Sequence, residues 1–198
     1  MQGQNSIKCT TSEINKKYFE EHPEAKKERE WLNEESRLAE LKKTAVLTSI
    51  TIPIVFHVND ATNPQKVTLA QVQSAVDILN EDFNGLNPEF NSLRPEFQGI
   101  ASNFEINFCL ASIDPDGNST NGITYHYNSY NGREPNGSGG AVKGVSVWPC
   151  DKYLNVWIVN EVEDDGDLYY SGWAFYPSTS LADQGLDGIV YNLSLIHI

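Results

Sequence analysis

Apolar residues recur along this chain first at sparse helical intervals and then at strand-like intervals. Residues 12–43 are rich in charged residues and predict two helices, with Ser12 as the cap of the first and Pro23 in the first turn of the second. Because so few apolar positions cannot form a core, the helix pair must lie against another part of the chain. A connection is predicted at residues 44–49.

The remainder of the chain begins with a strand and the longest helix. Residues 50–58 are rich in β-branched and aromatic residues, which predicts a strand, and Pro53 places this strand at a sheet edge or marks its start. Thr68 and Gln71 form a capping box at the start of a helix that runs to Phe83. Apolar residues repeat along that helix at helical spacing.

Short strands follow this helix and are separated by turn-forming residues. The predicted strands are Phe104–Ala111, Ile123–Tyr127, Tyr153–Val159, Gly172–Tyr176 and Gly188–Tyr191. The sequence D-P-D-G-N predicts a turn at residues 114–118, and residues 128–146 predict a loop. This order predicts an α/β (α+β) fold, in which a twisted mixed sheet carries a long helix on one face.

Charged residues are distributed differently in the N-terminal helical region and in the remainder of the chain. The 198 residues have a formal net charge of -13, and residues 1–48 contain nine basic and nine acidic residues, so the net charge lies in the remainder. Such an acidic body disfavours nucleic acid and anionic membrane surfaces as partners. No stretch approaches the roughly 18 consecutive apolar residues of a membrane span.

Six segments follow one another in a specific order and spacing. They are I-P-I-V-F-H-V (52–58), L-N-E-D-F (79–83), F-C-L-A-S-I-D-P-D-G-N with N-G-I-T (108–124), D-K-Y-L-N-V-W (151–157), G-W-A-F-Y-P (172–177) and D-G-I-V (187–190). Together they resemble the pappalysin family of metalloproteases, a branch of the metzincins. The resemblance covers nearly all of residues 9–192.

This resemblance implies two units, a helical pro-segment at residues 1–48 and the upper, N-terminal subdomain of a metzincin catalytic domain at residues 49–192. It implies a secreted, monomeric zinc metalloendopeptidase zymogen, with zinc as cofactor and a peptide or protein as substrate. The family's zinc-binding helix carries H-E-x-x-H-x-x-G-x-x-H, and this motif does not occur in the chain. We therefore expect no catalytic residue in this chain and no activity from it alone.

Both ends of the sequence are read as incomplete. Residues 193–198, L-S-L-I-H-I, match the translation of a sequencing-library adapter, so we exclude them from the fold and do not offer His197 as a metal ligand. The alternative is a genuine apolar strand. Residues 1–5 lack the basic start and apolar core of a signal peptide. Since relatives begin with one, we expect a missing signal peptide and an extracellular protein; the alternative is a cytoplasmic one.

The three cysteines take their predicted roles from the resemblance. In relatives, a cysteine at the place of Cys9 binds the catalytic zinc and keeps the zymogen latent, because a thiolate there displaces the water that catalysis requires. Thr10 stands where relatives commonly have glycine. The alternative is an unpaired or disulfide-bonded cysteine. If Cys9 is the latency ligand, Cys109 and Cys150 are the natural disulfide pair; two free buried thiols are the alternative.

Gly172, Trp173, Ala174 and Phe175 correspond to the short edge strand that borders the cleft in metzincins. An edge strand offers unpaired N–H and C=O groups, so an extended peptide substrate can add itself there as a further strand. The alternative is a plain sheet edge, which every open sheet has.

Other candidate sites carry weaker signals. Residues 164–167 (D-D-G-D) are a candidate for calcium but lack EF-hand spacing, and His57 within a strand is more typical of a packed histidine than of a metal ligand. A rival interpretation of the chain is a non-catalytic extracellular binding or adhesion module, and a third is a structural domain of a larger surface protein. An H-E-x-x-H helix encoded directly after Asn192 favours the protease, whereas a stop codon there favours the module.

Overall fold

The structure is a computed structural model that describes residues 8–42, 49–129, 140–162 and 170–193. In chain order its main elements are β1 (Lys8–Cys9), α1 (Thr11–Glu21), α2 (Pro23–Lys42), β2 (Ile50–Asn59), α3 (Leu69–Phe83), α4 (Pro95–Gln98), β3 (Ile106–Leu110), β4 (Ile123–His126), α5 (Gly140–Gly144), β5 (Leu154–Val159), β6 (Tyr170–Ala174), α6 (Thr179–Asp183) and β7 (Ile189–Asn192). Most of the predicted connection at 44–49, the D-D-G-D segment at 164–167 and residues 194–198 lie outside the described residues.

The seven described strands form one mixed sheet in the order β1-β6-β7-β5-β2-β3, and β4 also pairs with β2. The pairs are parallel except for β6 and β7, which run antiparallel. The predicted fold class, an α/β fold with a mixed sheet and helices, is confirmed.

β2 is an interior strand, next to the edge formed by β3 and β4, and it begins at Ile50. The prediction that Pro53 marks an edge strand or the start of this strand is therefore wrong. One side of β2 pairs with β3 and then β4, and its other side pairs with β5. The pairing with β5 begins at Ile54, opposite Leu154, so Pro53 lies one residue before it. A proline is tolerated there because the strand still has an unpaired side at that point.

The long helix α3 covers one face of the sheet, as the sequence predicts. Its capping box is formed: the Thr68 hydroxyl accepts from the Gln71 backbone N–H at 3.3 Å, and the Gln71 side-chain oxygen accepts from the Thr68 N–H at 2.8 Å. Val72 and Val76 of α3 are buried in a core with apolar residues of the strands. The strand residues of this core include Ile54, Phe56, Val58, Phe108, Val156 and Ile158.

Helices also cover the other face, which the sequence pattern does not predict. α1, α2, α5 and α6 pack there around a core that contains Trp157, Trp173, Phe175 and Val190. α5 lies within residues 128–146, so the prediction of a loop throughout that range is wrong. The first helix starts at Thr11 after Thr10, so Ser12 is not its cap. None of the described helices is long and apolar enough to cross a membrane.

The N-terminal helices lie against the body of the chain, as their sparse apolar pattern predicts. Ile14 and Tyr18 of α1 and Ala25 of α2 are buried in the core that contains Trp157 and Trp173. α2 begins at Pro23, where the sequence places it. The contact brings the N-terminal segment to the β6 end of the sheet, where the candidate site lies.

Candidate peptide-binding edge

The outer edge of β6 is occupied by the N-terminal segment of the same chain. β6 pairs with β7 on its inner side and with β1 on its outer side, where Cys9 lies opposite Gly172. The Thr10 backbone N–H then donates to the Gly172 carbonyl oxygen at 3.2 Å. The residues predicted as an edge, Gly172 to Phe175, are therefore an edge of the body after residue 49 but are covered by residues 8–15.

Side chains of α1 continue this pairing beyond the point where β1 ends. The Thr11 hydroxyl accepts from the Ala174 N–H at 3.1 Å. The Asn15 side-chain amide donates to the Ala174 carbonyl at 2.8 Å and accepts from the Tyr176 N–H at 2.7 Å. Asn15 is only 1% exposed. Its amide therefore takes the place that a peptide group of an added strand would take on β6.

Further contacts hold the two N-terminal helices next to β6. The ring of Tyr18 packs on that of Phe175 with 4.9 Å between the ring centroids. The Glu28 carboxylate of α2 accepts from the backbone N–H of Thr179 at 2.7 Å and from its hydroxyl at 2.5 Å, at the first turn of α6. These hydrogen bonds lower the pKa of Glu28.

Cys9 lies on the face of the sheet that α3 covers. Cys9 is in register with Gly172, and Gly172 with Tyr191, so the three residues lie side by side on β1, β6 and β7 and share one face. Burial in the first place, and the Cys9 thiol in addition, raise the pKa of the Tyr191 phenol, which fits this proximity. Cys9 is exposed, and its thiol donates to the Thr11 hydroxyl at 3.2 Å.

An apolar groove of about 380 Å³ lies on this same face, between α3 and the strands β5 and β7. Residues that line it include Val72, Ala75, Ile78, Val156, Ile189 and Tyr191. Since Tyr191 borders both the groove and Cys9, the thiol lies at the groove's β6 end. Within the described ranges, no three His, Cys, Asp or Glu side chains come close enough together to hold a metal ion.

His57 is a packed core residue, as its place in a strand predicts. It is 0% exposed and stacks on Trp157 with 5.4 Å between the ring centroids. His57 Nε2 lies 2.9 Å from the Asn155 side-chain oxygen, which can only accept, so Nε2 carries the proton and Nδ1 accepts from the Thr124 hydroxyl at 2.7 Å. Burial lowers the pKa of His57 to about 4.

The predicted disulfide between Cys109 and Cys150 is not formed. Both cysteines are free, Cys109 exposed and Cys150 half-buried. Cys109 is on β3 and Cys150 precedes β5, and these strands pair with opposite sides of β2. β2 therefore lies between the strand of Cys109 and the strand that Cys150 precedes. Two free thiols, the alternative interpretation, describe the structure, although Cys109 is not buried.

Comparison with known proteins places this geometry in a family context. The profile of the peptidase family described as pregnancy-associated plasma protein-A matches residues 141–197. A solved structure of a Tannerella forsythia promirolysin mutant is 28% identical, with a TM-score of 0.68, over 90% of this chain and 57% of that one. The predicted resemblance to the pappalysin family is confirmed.

Two further solved structures are similar to the chain. Mature mirolysin from Tannerella forsythia in complex with a cleaved peptide is 30% identical, with a TM-score of 0.61, over 74% of this chain and 53% of that one. Mirolysin in complex with a compound is 31% identical, with a TM-score of 0.60 and the same coverage. The chain thus spans a little more than half the length of these structures. No curated protein sequence matches it.

Sequence reasoning missed the α1 side chains that contact β6 and the buried Lys143 of α5. The sequence did contain one signal for Asn15. Asparagine is a poor helix former, so an asparagine inside a predicted helix indicates that its side chain forms hydrogen bonds outside the helix. Lys143 gave no such signal, because a lysine in a predicted loop is ordinarily exposed.

Proposed function

We propose that the complete protein is a latent zinc metalloendopeptidase in which residues 1–48 inhibit and residues 49–192 provide the substrate-binding half of the catalytic domain. The observation that carries this proposal is the occupation of the β6 edge by residues 8–15. A segment that covers the strand on which a substrate would pair prevents substrate from binding until it is removed.

The comparisons support residues 1–48 as a pro-segment. The alignment with promirolysin covers 90% of the chain, whereas that with mature mirolysin covers 74%. The difference of 16% corresponds to about 32 of the 198 residues. α1 and α2 have 11 and 20 residues, so the difference has the size of this helix pair.

The substrate is proposed to be an extended peptide that adds to β6 in place of the N-terminal segment. Without that segment, the Gly172 C=O, the Ala174 N–H and C=O, and the Tyr176 N–H all lose their partners from residues 10–15. Backbone pairing with these groups supplies affinity that does not depend on the substrate's side chains. The mirolysin structure with a cleaved peptide supports a peptide as the substrate class.

The residues that the structure describes do not provide a catalytic zinc site. Zinc, when bound in such peptidases, polarises the scissile carbonyl and activates water. We propose that its protein ligands belong to the part of the relatives that this chain does not span, and that Cys9 is a latency ligand. In support, Cys9 shares a face of the sheet with Tyr191, which lines the apolar groove.

The experiment starts from the gene sequence downstream of the Asn192 codon. The encoded full-length protein is assayed with quenched fluorescent peptides, before and after removal of the N-terminal segment. We expect activity only after removal, its loss on zinc chelation, and higher activity of the unprocessed form in Cys9→Ala than in the matched Cys109→Ala. A stop codon after Asn192, or a processed protein that cleaves no peptide, would instead favour the binding or adhesion module.

We also propose an exported, monomeric protein, as the resemblance implies. The location is tested by fractionating the source cells with an antibody raised against residues 49–192. The oligomeric state is tested by light scattering on the purified protein. Recovery of the protein only from the cytoplasm, or a mass of two or more chains, would contradict these two points.

A further inference from the structure

Lys143 is a wholly buried lysine in the core beneath β6. Its side chain is 0% exposed. The ammonium nitrogen lies 4.3 Å from the ring centroid of Trp173, 5.0 Å from that of Phe175 and 5.1 Å from that of Trp157. It also donates to the carbonyl oxygen of Leu186 at 2.5 Å and to that of Gly188 at 3.4 Å.

Burying this ammonium group is costly, because the core replaces its water shell. Burial lowers the pKa of Lys143 to about 7, while the charges of Asp187 and Cys150 act on this pKa in the opposite direction. Among the described residues, no carboxylate forms an ion pair with it. An apolar side chain of similar length would fill the same space without the desolvation cost.

Apart from Trp157 of β5, the partners of Lys143 belong to two segments, the β6 segment and the residues that precede β7. Trp173 and Phe175 alternate along the chain with Gly172, Ala174 and Tyr176, whose backbone groups bond to the N-terminal segment. Leu186 and Gly188 lie in the short segment that leads into β7, the strand with which β6 pairs. The ammonium group therefore joins the buried rings of the β6 segment to the approach of its partner strand.

We propose that Lys143 is a positioning residue for the peptide-binding edge: it holds Trp173 and Phe175 against residues 186–188 and thereby orients the outward backbone groups of Ala174 and Tyr176. This inference rests on the proposed role of β6. Residues 186–188 offer a closely packed anchor, because Gly188 has a φ of +126° and an ideal Cβ there would lie 2.4 Å from the Asn155 carbonyl oxygen.

Amide hydrogen exchange in the chain 1–198 tests the inference without any catalysis. Lys143→Met keeps the length and the apolar contacts but removes the charge and the donors. We expect exchange at the Ala174 and Tyr176 amides to rise at least tenfold, while exchange at Val156 and Val190 follows the global stability. Val159→Ala is the matched control, since it trims the same core and should affect all four amides alike.

The outcomes separate positioning from ordinary core packing. If the Ala174 and Tyr176 amides in Lys143→Met change no more than those of Val156 and Val190, the inference is overturned. If Lys143→Met does not fold, Lys143→Gln, which keeps an N–H donor group without the charge, is measured with the same criterion. If Lys143→Gln folds and its four amides change by the same factor, the inference is overturned as well.

A kinetic measurement then distinguishes this inference from the proposed function. In the processed full-length peptidase, we expect Lys143→Met to raise KM for an extended peptide about tenfold while kcat stays within about twofold, since binding of the substrate backbone is affected and the chemistry is not. Locally increased exchange with an unchanged KM would leave Lys143 as a positioner of β6 but reject β6 as the substrate strand. Unchanged exchange would reject the role of Lys143 whatever the kinetics.

Discussion

Cys9 and Tyr191 lie on the same face of the sheet, one on each side of Gly172. Gly172 adds no side chain between them, and an ideal Cβ at this position would lie 2.2 Å from the Val190 carbonyl oxygen. The thiol of the N-terminal segment thus reaches the border of the groove because the strand between has only backbone at this point. A residue of the N-terminal segment and a residue of the groove are therefore neighbours across a glycine.

Replacing Gly172 by alanine should destabilise the chain. The φ of +155° and the contact with the Val190 carbonyl oxygen leave no room for a methyl group, so the pairing of β6 with β7 must shift. We expect a loss of roughly 2–3 kcal/mol in the free energy of unfolding, measured by urea denaturation. Gly99→Ala is the control, because nothing lies within 4 Å of its ideal Cβ, and it should change stability little. Equal effects of the two substitutions would contradict this account.

Asn15→Asp should release the N-terminal helices from β6. The aspartate loses the donor to the Ala174 carbonyl and places a negative charge against that oxygen, at a cost of roughly 2–3 kcal/mol. We expect trypsin to cleave within α1 at least tenfold faster, followed by mass spectrometry. Asn33→Asp makes the same chemical change at an exposed position of α2 and serves as control. Similar cleavage rates in the two variants would show that Asn15 does not hold the segment.

The three thiols should differ in reactivity and should form no bridge between Cys109 and Cys150. Burial raises the pKa of the Cys150 thiol, so less thiolate is available at pH 8. Alkylation with iodoacetamide should therefore label the exposed Cys9 and Cys109 well before Cys150. Peptide mapping without reductant, on protein made in an oxidising compartment, should recover Cys109 and Cys150 unlinked. A Cys109–Cys150 peptide would contradict the strand order around β2.

Stability should fall between pH 6.5 and pH 4 because of His57. Burial lowers the pKa of this histidine from 6.5 to about 4, so in this window the unfolded chain binds a proton that the folded chain does not. The contribution of neutral His57 to the free energy of unfolding is therefore complete above pH 6.5. About 3 kcal/mol of this contribution is lost as the pH falls to 4. Burial lowers the pKa of His126 as well, which adds in the same direction.

Urea unfolding at several pH values measures this dependence. His57→Gln should flatten the slope of stability against pH between 6.5 and 4, whatever its effect on stability at pH 7. Asn33→Gln, which changes an exposed residue that does not titrate, should leave the slope in place. An unchanged slope in His57→Gln would show that another group causes the loss.

Much of the secondary structure could be predicted from local patterns. The capping box of Thr68 and Gln71 and the apolar spacing after it define α3 within a few residues, because both depend on positions three or four apart. The sparse apolar pattern of residues 12–43 also implied a surface elsewhere for those helices. Pro53 led to a wrong prediction of an edge strand, because a proline is also tolerated in an interior strand before the neighbouring strand begins to pair.

By itself, the sequence determined the elements, the need of the N-terminal helices for a partner, and a resemblance that indicates a pappalysin-type body. Only the tertiary structure decided that Asn15 bonds to Ala174, 159 positions away, that Lys143 is buried beneath β6, and that Cys109 and Cys150 lie on opposite sides of β2. The physical reason is that helix caps and apolar periodicity act within one or two helical turns. The three relationships depend on strand order and register, which are established only when the whole sheet forms.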